Sequence, residues 1–206
     1  MQNNAALLVV DVQNDFCRGG ALAVPDGEAI IPLINRIARK FTTVVLTQDW
    51  HPADHTSFAA NHPGAAPFET VQMPYGPQTL WPTHCVMASP GAALHPALDV
   101  PHAAMILRKG LQRHVDSYSA FLEADRITRT GLDGVFASRG ITEIFFAGLA
   151  TDFCVAWSAE DAQKFGFRSI VIEDACRAID LNGSLHLAWE RLTVAGVRRM
   201  ASTELG

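Results

Sequence analysis

The stretch Glu143-Ile144-Phe145-Phe146-Ala147-Gly148-Leu149-Ala150-Thr151-Asp152-Phe153-Cys154-Val155 constrains the fold of this chain more than any other. After Glu143 it runs through β-branched and aromatic residues, the profile of a strand buried in a parallel sheet. Gly148 ends the run, and Thr151 is a natural N-cap for a helix beginning at Asp152. From Asp152 to Phe165 the residues favour helix, with Phe153, Ala156, Trp157, Ala162 and Phe165 spaced to cover one face. Gly166 stands where a left-handed residue closes a helix. Counted from Thr151, Cys154 is the third helical residue, in the turn whose N–H groups lack intrahelical partners. The helix dipole favours a thiolate there, so the thiol pKa is expected below its ordinary value of about 8.5. The same N–H donors could cradle an oxyanion. The other reading of Cys154 is a small buried hydrophobe, and position alone leaves the two evenly matched.

Taken in order, the chain gives that cysteine company. Ala5 to Val10 read as a first buried strand ending on Asp11, and open α/β sheets place their ligands at such carboxyl ends. Taken alone, Asp11 reads more simply as a turn former. A helix is expected from near Asp26 or Glu28 through Ile30, Ile31, Ile34 and Ile37 to Lys40, with Pro32 blurring its start. Thr43 to Thr47 predict a second strand, with Asp49-Trp50-His51 just beyond it. Asp49 and His51 lie two apart and project to one side of an extended chain, a pairing that suits a divalent transition ion. From Asn61 to Pro101 prolines interrupt every periodic run, the pattern of a long functional loop. Within it, Trp81-Pro82-Thr83-His84-Cys85 brings a histidine able to complete an ion site with Asp49 and His51, and an indole wall. His62, His95, His102 and His114 read as ordinary packed or surface histidines.

Ala103 to Leu107 predict a third strand, leading to Lys109, and Val115 to Phe121 an aromatic loop. Thr130 to Arg139 predict a helix, Ser169 to Glu173 a strand, Ser184 to Leu192 a helix and Gly196 to Met200 an edge strand. Strands alternating with helices argue a single-domain, Rossmann-like parallel β-sheet over residues 1–206, with helices on both faces. Asp11, Asp49, Lys109 and Cys154 all then fall at or just beyond carboxyl strand ends.

The whole-chain balance narrows the function classes. A chain of 206 residues with 49% hydrophobic and 18% charged residues is globular. A formal charge of −5 without a Lys/Arg cluster argues against nucleic acid as a partner. The four dispersed cysteines suit a reducing, cytosolic setting, and the start of the chain carries no secretion signal or membrane segment. A nucleotide site is not signalled, because neither G-x-G-x-x-G nor P-loop spacing is present. A homo-oligomer is left open.

Five motifs carry a wider resemblance: Leu7-Leu8-Val9-Val10-Asp11-Val12-Gln13-Asn14-Asp15-Phe16, Thr47-Gln48-Asp49-Trp50-His51-Pro52, Trp81 to Val86, Lys109-Gly110 with Asp116 to Phe121, and Gly148 to Val155. With them the chain resembles the metal-dependent nicotinamidases of the isochorismatase-like cysteine hydrolases, along nearly its whole length. The resemblance implies Cys154 as nucleophile, Asp11 as its proton acceptor and Lys109 as the charge that steadies the thiolate. It implies an oxyanion hole from the Ala150 and Cys154 N–H groups, with a cis peptide at Leu149–Ala150. Asp49, His51 and His84 match the metal ligands, for zinc first, with iron or manganese also suited to such a site. The fourth protein ligand varies in that family, and whether His55 joins the set here is left open. Phe16 and Trp81 match positions that sandwich the substrate ring, and Tyr118 closes the pocket. The implied reaction is deamidation of nicotinamide, a small-molecule substrate, to nicotinate, with pyrazinamide as a second substrate. Competing readings are a relative cleaving another amide or carbamoyl compound with the same triad, or a non-catalytic binding subunit.

Overall fold

The computed structural model describes residues 3–205; Met1, Gln2 and Gly206, the ends of the expected 1–206 domain, lie outside the described residues. In chain order it builds β1 (Ala5–Val10), α1 (Ile31–Ala38), β2 (Thr43–Asp49), β3 (Thr70–Met73), β4 (Gly76–Thr79) and β5 (Met105–Lys109). Then come α2 (Leu132–Ser138), β6 (Glu143–Leu149), α3 (Ala156–Lys164), β7 (Arg168–Arg177), α4 (Ser184–Val194) and β8 (Arg198–Met200). Six strands form one sheet in the order β5-β2-β1-β6-β7-β8, every neighbouring pair parallel. β3 and β4 make a separate antiparallel hairpin inside the proline-punctuated segment, where the sequence predicts only irregular chain.

Side-chain alternation explains how the layers assemble. β1 is buried along its whole length. Its Leu7 and Val9 join Ile31, Ile34 and Ile37 of α1 in one core, while Ala6, Leu8 and Val10 join Phe136, Ala159 and Leu192 of α2, α3 and α4 in the other. Helices therefore cover both faces, as the alternating pattern predicts. Each large apolar side chain so buried stabilises the fold by roughly 1.5–3 kcal/mol. Pro32 falls in the first turn of α1, where its missing N–H costs nothing, and the expected earlier start is a 3-10 turn over Gly27–Ile30.

The chain starts in the middle of the sheet and runs outward through β2 and β5. It then returns to the other side of β1 as β6 and proceeds to β7 and β8. The strand order thus reverses between β1 and β6, the crevice where open α/β sheets bind ligands. Gly148 sits at that crevice with φ of +125°, and a Cβ there would run into the backbone of Val10. Only glycine lets β6 pack against β1 at this point. No helix among the described residues is long and apolar enough to cross a membrane.

Candidate active site

Four adjacent strands deliver the chemistry. Asp11 succeeds β1 at a left-handed φ of 49°, while Asp49 and Lys109 are the last residues of β2 and β5. Cys154 lies in a π-helical turn, Thr151–Val155, between β6 and α3. The Lys109 ammonium is the hub. Its Nζ stands 2.8 Å from Asp11 Oδ2 and 3.4 Å from Cys154 Sγ, ion-pairs with Asp49 Oδ1, and donates to the Ser117 carbonyl at 3.1 Å. Thr47 Oγ1 donates to Asp11 Oδ1 at 2.5 Å and accepts the Asp11 N–H at 3.1 Å. Asp11, Asp49 and Cys154 each offer an atom within 4.8 Å of the others, and all three residues are buried.

Burial decides the protonation states. It pushes the Cys154 thiol well above the ordinary range; Lys109 opposes this, and the Asp11 and Asp49 carboxylates reinforce it. The lowered pKa expected from the helix terminus is therefore not found, because desolvation and two nearby anions outweigh one cation and the helix dipole. Burial also raises the Asp11 carboxyl against the pull of Lys109. A raised carboxylate beside a neutral thiol is a competent proton acceptor. Burial works against the Lys109 charge, but Asp11 and Asp49 outweigh it and hold the ammonium well above the usual lysine value. Thr151 does not cap the helix as its residue type predicts; Ala150 occupies that position without a side-chain cap, and Thr151 begins the π turn. The Leu149–Ala150 peptide is cis, as the family resemblance implies.

Beside this triad, Asp49, His51 and His84 point ligand atoms at one another. Asp49 Oδ2 lies 3.7 Å from His51 Nε2 and 3.9 Å from His84 Nε2. His51 Nδ1 is bonded to the Gly110 carbonyl at 3.0 Å and His84 Nδ1 to the Pro82 carbonyl at 2.8 Å. A carbonyl can only accept, so both Nδ1 atoms carry the proton and both Nε2 lone pairs face Asp49. Donors about 2.0–2.1 Å from a tetrahedral ion sit roughly 3.4 Å apart, so this buried set fits a divalent transition ion with little adjustment. Burial, with His51 nearby, pushes the His84 imidazole down to about 4, so it stays neutral. At His51 burial is outweighed by Asp49, which raises the pKa. His55 stacks 4.3 Å from the His51 ring, but both of its nitrogens are engaged, Nδ1 with Ser57 Oγ at 2.7 Å and Nε2 with the Val115 carbonyl at 3.1 Å. It stands outside the Asp49, His51 and His84 group, and its ligand atom falls instead in a second buried group with those of His51 and Asp116.

The thiol and the Asp49, His51 and His84 cluster open into one cleft of about 350 Å³, its mouth included, whose walls hold Phe16, Trp81, Tyr118 and Ala150. Every expected pocket residue is therefore gathered there. Trp81 Nε1 donates to the Tyr118 hydroxyl at 3.0 Å, and Trp81 meets Phe153 edge-on with centroids 4.9 Å apart. Leu22, Asp116, Phe153 and Ile179 also line the cleft; Asp116 and Phe153 stand inside two of the motifs but are given no pocket role there. The spacing of Phe153 points to the buried helix face instead; its adjacency to Cys154 is the one available hint. Leu22 and Ile179 lie on loops with no periodic signal at all.

The chain is similar to known proteins along nearly its whole length. Residues 5–204 match the family model described as Isochorismatase domain. A nicotinamidase of Acinetobacter baylyi is 58% identical over 203 residues, covering 98% of this chain and 95% of that protein. The solved structure of a nicotinamidase/pyrazinamidase from Acinetobacter baumanii superposes with a TM-score of 0.99 at 57% identity, covering 100% of both chains. A pyrazinamidase of Pyrococcus horikoshii, solved in complex with zinc, gives 0.78 at 33% identity over 96% of this chain and 99% of that one. The chain belongs to the isochorismatase family, alongside the nicotinamidases within it.

Proposed function

We propose that this protein deamidates nicotinamide to nicotinate and ammonia through a thioester on Cys154. The observation that carries the reading is the cleft itself, with a thiol–ammonium–carboxylate cluster and an Asp/His/His cluster opening into one aromatic slot. Asp11 takes the Cys154 proton as the sulfur attacks the carboxamide carbon. Lys109 offsets the negative charge passing between them, and the Ala150 and Cys154 N–H groups receive the carbonyl oxygen as it gains charge. When the tetrahedral adduct collapses, Asp11 returns the proton to the departing nitrogen and ammonia leaves. Asp11 then takes a proton from water, whose oxygen attacks the thioester carbon. Nicotinate is released and the thiol regains its proton. Two modest barriers replace one high one.

Phe16 and Trp81 hold the pyridine plane, and Tyr118, fixed by Trp81, closes the slot. Asp49, His51 and His84 would hold a divalent ion, which would offer a ligand position to the ring nitrogen while the amide end of the substrate meets Cys154. Zinc is the ion the donor set favours, and the zinc complex of the pyrazinamidase relative supports that choice. Pyrazinamide keeps a ring nitrogen in the same relation to its carboxamide, so it fits the same slot. We read the chain as one catalytic domain, a reading supported by one sheet of the described residues that carries Asp11, Asp49, Lys109 and Cys154 at or beyond its strand ends.

The test is ammonia release from nicotinamide by the wild type, by Cys154→Ala and by wild type treated with a chelator. Turnover in the wild type, none in Cys154→Ala and a large loss on chelation are the expected results. Near-normal turnover in Cys154→Ala would remove the mechanism.

A further inference from the structure

Gln13 is fully buried two residues after Asp11, and the proposed mechanism gives it no task. Its amide grips the main chain of Asp49 from both sides. Gln13 Oε1 accepts the Asp49 N–H at 2.8 Å, and Nε2 donates to the Asp49 carbonyl at 2.8 Å and to the Ala92 carbonyl at 2.9 Å. One acceptor bond and two donor bonds leave the amide well satisfied without water.

The sheet explains why Asp49 needs this. The ladder between β1 and β2 ends at the pair Val9 and Leu46, because the chain turns away at Asp11. Beyond that point the inner edge of β2 has no strand beside it, while its outer edge still pairs Asp49 with Lys109 of β5. The Gln13 side chain takes the place of the missing strand, receiving and returning a hydrogen bond as a peptide group would. It thereby fixes the backbone from which the Asp49 carboxylate reaches His51 and His84 with Oδ2 and Lys109 with Oδ1.

We infer that Gln13 is a positioning residue for the ion site, setting its affinity through the backbone of Asp49. The inference rests on the reading of Asp49, His51 and His84 as ion ligands. Outer groups that orient a ligand typically change metal affinity about 10- to 100-fold when removed. Gln48 is a built-in control. It is a buried glutamine that also donates to the Ala92 carbonyl, at 3.0 Å, but its side chain does not bond the Asp49 backbone.

The experiment measures zinc affinity by competition with a chelating dye, together with thermal midpoints, in the wild type, Gln13→Met and Gln48→Met. Both variants lose a bond to Ala92, so both midpoints should fall. Only Gln13→Met should bind zinc more weakly, by about 10- to 100-fold. Should Gln13→Met fail to fold, Gln13→Glu keeps the shape and the acceptor, lacks the donor, and carries the same expectation. Unchanged affinity in the Gln13 variants, or equal weakening in Gln13→Met and Gln48→Met, would overturn the inference while leaving the ion site intact. A wild type that takes up no zinc would remove the ion site and the inference together.

Discussion

Lys109 carries a positive charge between two buried carboxylates and a thiol, and it is itself about 1% exposed. Replacing it by methionine preserves bulk but leaves Asp11 and Asp49 facing each other without a cation. Removing one partner of a buried ion pair typically costs about 3–5 kcal/mol. Lys109→Met should therefore lower the unfolding free energy in urea by an amount in that range, and an unchanged value would show that the ammonium does not sit between the carboxylates. Cys154→Ala should behave oppositely, losing all turnover with a small stability cost, because little packing volume goes with the sulfur. At this scale Asp11, Asp49, Lys109 and Cys154 are legible in the sequence because reactive residues at carboxyl strand ends converge whatever the loops do. The protonation of Cys154 is not legible. It depends on desolvation and on two carboxylates that only the folded chain brings beside the sulfur.

Most elements are legible as helix or strand, while their ends shift: α1 begins only at Ile31 and α3 only at Ala156. β1 runs over Ala5–Val10 as read, and α4 extends the expected helix by two residues, to Val194. The hairpin of β3 and β4 is hidden because each strand has four residues and β4 contains Gly76 and Pro77, which weaken any strand signal. The π turn at Thr151–Val155 is hidden because five residues cannot distinguish its period from that of an α-helix. That turn also buries Asp152, whose carboxylate accepts the N–H of Ile179 at 3.1 Å, the N–H of Asp180 at 2.8 Å and the Ser184 hydroxyl at 2.5 Å. It ties the turn that carries Cys154 to the loop that places Ile179 in the cleft. Hydrogen bonds to a charged group contribute about 1.5–3 kcal/mol. Asp152→Ala should lower stability by at least that much in chemical denaturation and raise KM for nicotinamide more than it lowers kcat. Wild-type stability and KM in this variant would show that the loop holds itself.

The whole molecule places a sheet reversal, a long proline-rich segment and an aromatic slot around one cleft. Strand–helix alternation is enough to anticipate the parallel sheet, and topology alone brings the four strand ends together. The route of residues 61–101 is beyond such reasoning, because nothing periodic fixes where an irregular segment lies. His84 reaches the ion site from that segment, held in part by the bond from the Cys85 N–H to Asp15 Oδ2 at 2.7 Å. In the proposed function this arrangement holds the substrate by its ring nitrogen at one end and opens its amide at the other. Benzamide has the same outline and the same carboxamide, but no ring nitrogen. The decisive measurement is kcat/KM for nicotinamide and for benzamide, in zinc-loaded enzyme and after chelation. Nicotinamide should be strongly preferred, and that preference should collapse when the ion is removed, with benzamide poor in both states. Equal values for the two amides in the loaded enzyme would contradict it.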